Sequence, residues 1–174
     1  LFSGWYRECG IIPHTTDIDI AILASEYTSS IEKTFRNDDR MKLYWILGKV
    51  ASIKGTESPD DSLELSVYMN DVKYDVFTLY DSGDSSWVGG MVVQTKTKLR
   101  WTYPKLKGLC SAELLGELFY VPCNSLEFIT TDYGSTWFKV FHTSKYVWHK
   151  SGSNIKTVGK WTDKEWPYVY QLFN

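Results

Sequence analysis

Asp17 and Asp19 are the first residues in this chain whose type and spacing suit chemistry. In the run DIDIAIL, Asp17, Asp19 and Ala21 alternate with Ile18, Ile20 and Ile22, the period of a strand with one apolar face. Two carboxylates so spaced project from one face, with Cα atoms about 7 Å apart. They resist joint ionisation unless a cation lies between them. A hard divalent ion, Mg²⁺ or Mn²⁺, is the natural partner for such oxygen ligands. Asp75 is the third candidate. It stands among large apolar residues in VKYDVFTLY, where a charge needs a partner or a metal. A neighbouring strand can set Asp75 beside Asp17 and Asp19. Metals held by such a trio stabilise the charge that develops in phosphoryl or nucleotidyl transfer. The plainer alternatives are a solvated DxD and a solvent-facing Asp75 with Lys73 as its neighbour.

These residues need elements to hold them. Leu1, Trp5 and Cys9 recur at helical spacing, which predicts a helix over 1–9 with Cys9 on the buried stripe and Gly10 as its stop. Tyr27, Ile31 and Phe35 predict a second helix from Ser25, its cap, to Phe35. Residues 42–54 read as one or two strands and 55–61 as a loop. SLELSVYM (62–69) and VKYDVFTLY (72–80) read as a hairpin turning at Asn70-Asp71. Residues 81–86 form a loop by composition, and strands follow at 87–93, 98–103 and 118–121. A helix at 125–132 follows, and 134–160 has no clear period. The pattern predicts an α+β fold, a mixed or antiparallel sheet with flanking helices, in one domain over 1–174.

Composition narrows the function classes. The chain has 174 residues with 43% hydrophobic and 23% charged, which excludes disordered and fibrous chains. A net charge of −2 excludes a globally basic nucleic-acid binder. The charge is uneven: residues 1–84 hold 8 Lys+Arg against 15 Asp+Glu, and the remainder 11 against 6. An acidic half and a basic half suit metal-binding carboxylates opposed to phosphate-binding lysines, or simply an unevenly solvated surface. Residues 139–160 carry five lysines and no acid, beside His142 and His149, a phosphate surface or a solvated face. His14 is a loop residue that could touch phosphate. Cys9, Cys110 and Cys123 form no zinc pattern, and Cys110 with Cys123 can bridge only in an oxidising compartment. No serine-hydrolase or phosphate-loop pattern is present.

The stretch GWYRECGIIPHTTDIDIAI resembles the signature of the fukutin and LicD families, through Gly4, Arg7, Gly10, Ile12, Pro13, Asp17 and Asp19. Asp75-Val76-Phe77 resembles the later D-x-F of those families. Val121, Pro122, Tyr133, Gly134 and Trp137 resemble their V-P…YG-x-x-W stretch, and RWTYPKL the basic stretch between. The wording lies closest to fukutin-like proteins. The resemblance implies a polymerase-β-like nucleotidyltransferase core. It implies metal-dependent transfer of a phospho-alditol, ribitol 5-phosphate in kind, from a CDP-activated donor to a glycan on a glycoprotein, in the Golgi lumen. It implies Asp17 and Asp19 as ligands of Mg²⁺ or Mn²⁺ and Asp75 as a further ligand or proton acceptor. Arg7, Lys98 and Arg100 would meet donor phosphate, and Tyr133 and Trp137 would stack on substrate or pack in the core. It places a Gly-Ser/Thr phosphate element and a membrane anchor upstream of Leu1, so the chain reads as N-terminally truncated. An inactive glycan- or partner-binding domain is the alternative.

Overall fold

The computed structural model describes residues 2–13, 15–50, 62–140 and 143–173. His14, His142, the 55–61 loop and the end of the expected 42–54 strand lie outside the described residues. The chain opens with α1 (Phe2–Glu8), followed by β1 (Asp17–Leu23), α2 (Ser29–Asn37) and β2 (Lys42–Leu47). Next come β3 (Glu64–Met69), β4 (Val72–Asp81), β5 (Ser85–Val92) and β6 (Thr97–Pro104). The remaining elements are β7 (Leu109–Leu114), β8 (Glu117–Pro122), α3 (Ser125–Tyr133), β9 (Ile155–Lys160), α4 (Trp166–Val169) and β10 (Tyr170–Leu172).

Among the described residues, eight strands form one sheet in the order β10-β2-β3-β4-β5-β6-β9, with β1 added against β4. The β1–β4 ladder is parallel and the others are antiparallel. The fold is thus α+β with a mixed sheet. Asn70 and Asp71, both at positive φ (50° and 63°), turn β3 into β4. Leu79 pairs with Leu23 on one edge and with Val88 on the other. β3 covers β4 only through Phe77, and β5 pairs with Leu79–Asp81. A fork therefore opens between β3 and β5 beside Gly89 and Gly90.

One sheet face is apolar. Leu65, Val67 and Val76 pack with Ile22 beneath Ile31 and Phe35 of α2. Ile18 and Ile20 lie on that same side of β1, so the alternation read in DIDIAIL leaves the opposite side to the acids. Beyond the fork, Met91 packs with Leu47, Trp161 and Val169, so β5 bends back toward β2.

Several boundaries depart from expectation. Residues Ala24–Glu26 form a short 3-10 turn and α2 begins after Thr28, because Tyr27 turns inward to the core instead of starting the helix. α1 ends at Glu8, and Cys9, not Gly10, takes the left-handed conformation (φ 50°). Cys9 is consequently exposed rather than core. The aperiodic stretch 134–160 contains β9, an edge strand whose polar residues face solvent. β7 was not foreseen either. It pairs with β8 as a separate hairpin, cross-linked by Cys110–Cys123.

Candidate functional site

The parallel register sets Asp17 opposite Lys73 and Asp19 opposite Asp75. On its other edge β4 sets Asp75 opposite Ser66, and β3 sets Ser66 opposite Trp45. Residues paired across a ladder share a face. Asp19, Asp75, Ser66 and Trp45 therefore form one row across four strands, with Asp17 and Lys73 one step along. Asp17, Asp19 and Asp75 thus share a face.

Asp75 is 5% exposed. Its Oδ1 accepts a hydrogen bond from Ser66 Oγ, and Lys73 Nζ lies 2.7 Å from its Oδ2. The same ammonium stands 4.8 Å from the centre of the Trp45 ring. Burial alone would lower the Lys73 pKa. The bond to Asp75, with the charges of Asp75, Glu64 and Asp17, outweighs it and raises the pKa. Asp19 reaches solvent, yet surrounding protein pushes its carboxyl up to about 6, helped by the charges of Asp17 and Asp75.

Glu64 was not singled out from the sequence. It lies on β3 opposite Phe77 and Leu47, on the same face as Asp75 and beside the fork. It is 8% exposed, and a Cβ at Gly90 would lie 3.8 Å from its Oε2. Burial, then the charges of Asp75 and Asp19, push its carboxyl up to about 8 against the pull of Lys73. The signal was available: in SLELSVYM, Ser62, Glu64 and Ser66 alternate with apolar residues, placing Glu64 with Ser66.

A wall comes from Tyr133, the last residue of α3, and Tyr146, just past the 3-10 turn Thr143–Lys145. Tyr133 lies 5.8 Å from Tyr146, ring centre to ring centre, and the Asp19 charge acts on both phenols. Burial raises both phenol pKa values, that of Tyr133 against a hydrogen bond with Ser3. Behind them Asp132 bonds Tyr103 and accepts from Asn154 Nδ2 at 2.9 Å. Burial holds the Asp132 carboxyl near 6 despite those bonds. Tyr146 and Asp132 were missed because nothing in their local sequence repeats.

Of the other expected residues, Tyr133 stands in that wall and the rest are engaged with neighbours of their own. Arg7 bonds Glu8 at 2.7 Å and the carbonyl of Trp137 at 3.3 Å, tying α1 to the segment after α3. Lys98 lies over Trp161 at 3.9 Å and Arg100 over Trp87 at 3.8 Å, both on β6. Lys73, not one of these three, is the cation on Asp75. Trp137 packs edge-on against Tyr6 at 5.4 Å, while Tyr133 keeps 41% of its surface exposed. A cavity of about 390 Å³ lies elsewhere, between α1, the Cys110–Cys123 bridge and the start of α3.

In kind, the carboxylates suit a hard divalent ion. Among the described residues, no three His, Cys, Asp or Glu are placed to hold one together. A cation nevertheless already stands on Asp75, the Lys73 ammonium. As placed, Asp17, Asp19 and Asp75 supply the donor type of a hard-ion site without closing one, and Lys73 holds Asp75 instead.

A sequence profile described as "LicD/FKTN/FKRP, nucleotidyltransferase domain" matches residues 2–124. The chain belongs to this family. Human "Ribitol-5-phosphate transferase FKTN" is 38% identical over 171 residues, covering 98% of this chain and 34% of the human protein. The mouse protein of the same name is 36% identical over the same shares. An uncharacterised protein of Caenorhabditis elegans is 35% identical over 179 residues, 98% of this chain and 44% of its own length. The chain thus spans between a third and a half of these relatives, and no solved structure matches it. The profile match includes Asp17, Asp19, Glu64, Lys73 and Asp75, whereas the Asp132–Tyr146 wall lies beyond it.

Proposed function

We propose that this chain is a transferase domain that moves a phospho-alditol, ribitol 5-phosphate in kind, from a CDP-activated donor to a glycan hydroxyl. The observation that carries the reading is the register that brings Asp19 onto Asp75 with Asp17 beside them. Membership of the family, and relatives named ribitol-5-phosphate transferases, support the substrate class. In the reaction the acceptor oxygen attacks the phosphorus that bears the alditol. The bond to the bridging oxygen breaks, CMP leaves with that oxygen, and the hydroxyl proton passes to a carboxylate. Mg²⁺ or Mn²⁺ on Asp17, Asp19 and Asp75 would neutralise phosphate charge. Asp75, held by Ser66 and shielded from water, is oriented to complete that shell or to take the proton. Tyr133 and Tyr146 supply an aromatic wall opposite Asp19 for a sugar or alditol. The Cys110–Cys123 bridge supports an oxidising compartment, in keeping with the Golgi lumen.

The test is mass-spectrometric detection of glycan plus one ribitol phosphate, with CDP-ribitol and Mn²⁺, for the parent and for Asp17→Asn/Asp19→Asn. Loss of product in the double variant is expected, by a factor on the order of 10³ or more. Equal turnover by both proteins would overturn the assignment. A second reading, a silent glycan- or partner-binding domain, is favoured by one observation: Lys73 occupies Asp75. It predicts glycan binding that survives metal removal and both substitutions.

A further inference from the structure

Trp148 takes no part in the transfer described above, and its setting is unusual. Among the chain's eight tryptophans it is the one with an exposed side chain, at 51%. Indoles are on average well buried, because their large apolar surface is costly to leave in water. Trp148 is nevertheless held firmly. Its ring stacks on Trp101, with 6.0 Å between centres and 18° between planes. His149 stands across it at 4.9 Å, the planes 70° apart. The Val147 N–H donates to Ser151 Oγ at 2.8 Å, and the Val147 carbonyl accepts from the amides of Lys150 and Ser151 at 2.9 and 2.8 Å. Ser153 Oγ and Asn154 Nδ2 then tie the chain to Thr131 and Asp132 of α3. An indole backed on one face and still half exposed leaves its other face to water.

This indole borders the acidic row. A Cβ at Gly90 would lie 2.8 Å from Cζ3 of Trp101 and 3.8 Å from Oε2 of Glu64, so the ring behind Trp148 reaches the Glu64 end of the row. Two residues before Trp148, Tyr146 belongs to the tyrosine pair on which the Asp19 charge acts. The segment from Tyr146 to Trp148 therefore runs beside the row, from Asp19 toward Glu64.

The setting selects the occupant. A flat aromatic face in water takes the C–H face of a pyranose ring, whose hydroxyls stay solvated or bond to donors around it. Exposed Lys145 and Lys150 flank the turn and supply such donors, which an apolar protein partner would have to desolvate. A nucleotide base fits less well, since small ligands are held in clefts that enclose most of their surface.

We propose that Trp148 is an acceptor-binding residue, stacking through its open face on the sugar next to the one that carries the reacting hydroxyl. The role of that sugar as acceptor rests on the transferase reading above; the stacking itself does not.

The probes are methyl disaccharides of hexoses and N-acetylhexosamines, the matching monosaccharides, and CMP. Each is titrated into the full chain and followed by the indole N–H resonances, that of Trp148 being the one lost in Trp148→Phe. A disaccharide should shift it, and should bind about 10-fold more weakly to Trp148→Ala but within about 3-fold of the parent to Trp148→Phe. The parent should prefer a disaccharide to its monosaccharide, and Trp148→Ala should lose that preference. CMP should bind all three proteins alike. Trp148→Leu replaces Trp148→Ala if that variant fails to fold. Equal disaccharide affinity in the parent and Trp148→Ala overturns the proposal, as does a parent that binds no sugar of the panel. Weakened CMP binding in Trp148→Ala also overturns it, since the indole then holds the base. Sugar bound at Trp148 by a protein that transfers no ribitol phosphate removes the transferase reading and leaves the stacking. Transfer whose KM for glycan is unchanged in Trp148→Ala removes the stacking alone.

Discussion

Glu64→Gln should make the protein more stable, by an amount set by pH. The folded carboxyl is held near 8, against an ordinary value of 4.5. Below pH 4.5 it is protonated whether the chain is folded or not, so the substitution changes little. Above 4.5 the unfolded chain ionises while the folded chain does not, and the parent loses stability as pH rises. The loss is about 1.4 kcal/mol per pH step, hence about 3 kcal/mol at pH 7, and it levels off above pH 8. Gln keeps the shape and carries no proton to lose, so the variant escapes this slope. The difference between the two proteins therefore opens from near zero at pH 4.5 to about 3 kcal/mol at pH 7, roughly 6–12 °C in Tm. Hydrogen bonding by the buried amide shifts this by a constant and leaves the slope intact. Thermal unfolding of both proteins from pH 4.5 to 8 is the assay. A difference that stays flat with pH would refute the claim that burial holds this carboxyl neutral.

Two further substitutions test how the site is framed. Gly4→Ala would put a Cβ 2.6 Å from the carbonyl oxygen of Gly10. Alanine stabilises an ordinary helix by about 1 kcal/mol, but here backbone meets backbone, so a net loss of about 1–3 kcal/mol is expected in urea unfolding; a stabilised variant would contradict the packing described for α1. Reduction of Cys110–Cys123, which are 13 positions apart, should cost about 3 kcal/mol and lower Tm in dithiothreitol. Replacing both cysteines by serine should abolish that sensitivity, and an unchanged Tm on reduction would refute the contribution.

Much of the acidic row was legible because strand periodicity is a local property. DIDIAIL announces its faces, and the hairpin around Asn70-Asp71 follows from turn chemistry and alternation. The partnership of Asp19 with Asp75 was a possibility of composition, and only the register decides it. Lys73 reads in the sequence as a bland neighbour, because sequence alone does not reveal that its ammonium turns back onto Asp75. Glu64 was hidden for a different reason. Its burial comes from the fork between β3 and β5, which depends on where two ladders end. Arg7, Lys98 and Arg100 come from the family resemblance, and the structure engages each with neighbours on other elements. The cap at Thr28 displaced Ser25 because Tyr27 is drawn into the core, a tertiary demand that local propensity does not contain.

The parallel ladder also governs the order of assembly. Ser66 and Asp75 meet through a tight turn, which closes within microseconds once the chain collapses. Asp19 and Asp75 are 56 positions apart and must wait for a long crossing of the chain. Asp75 and its lysine are thus seated early, while the first two aspartates arrive late. A nascent chain stalled between those events carries a finished hairpin with one bare edge, the surface on which another copy or a chaperone can act first.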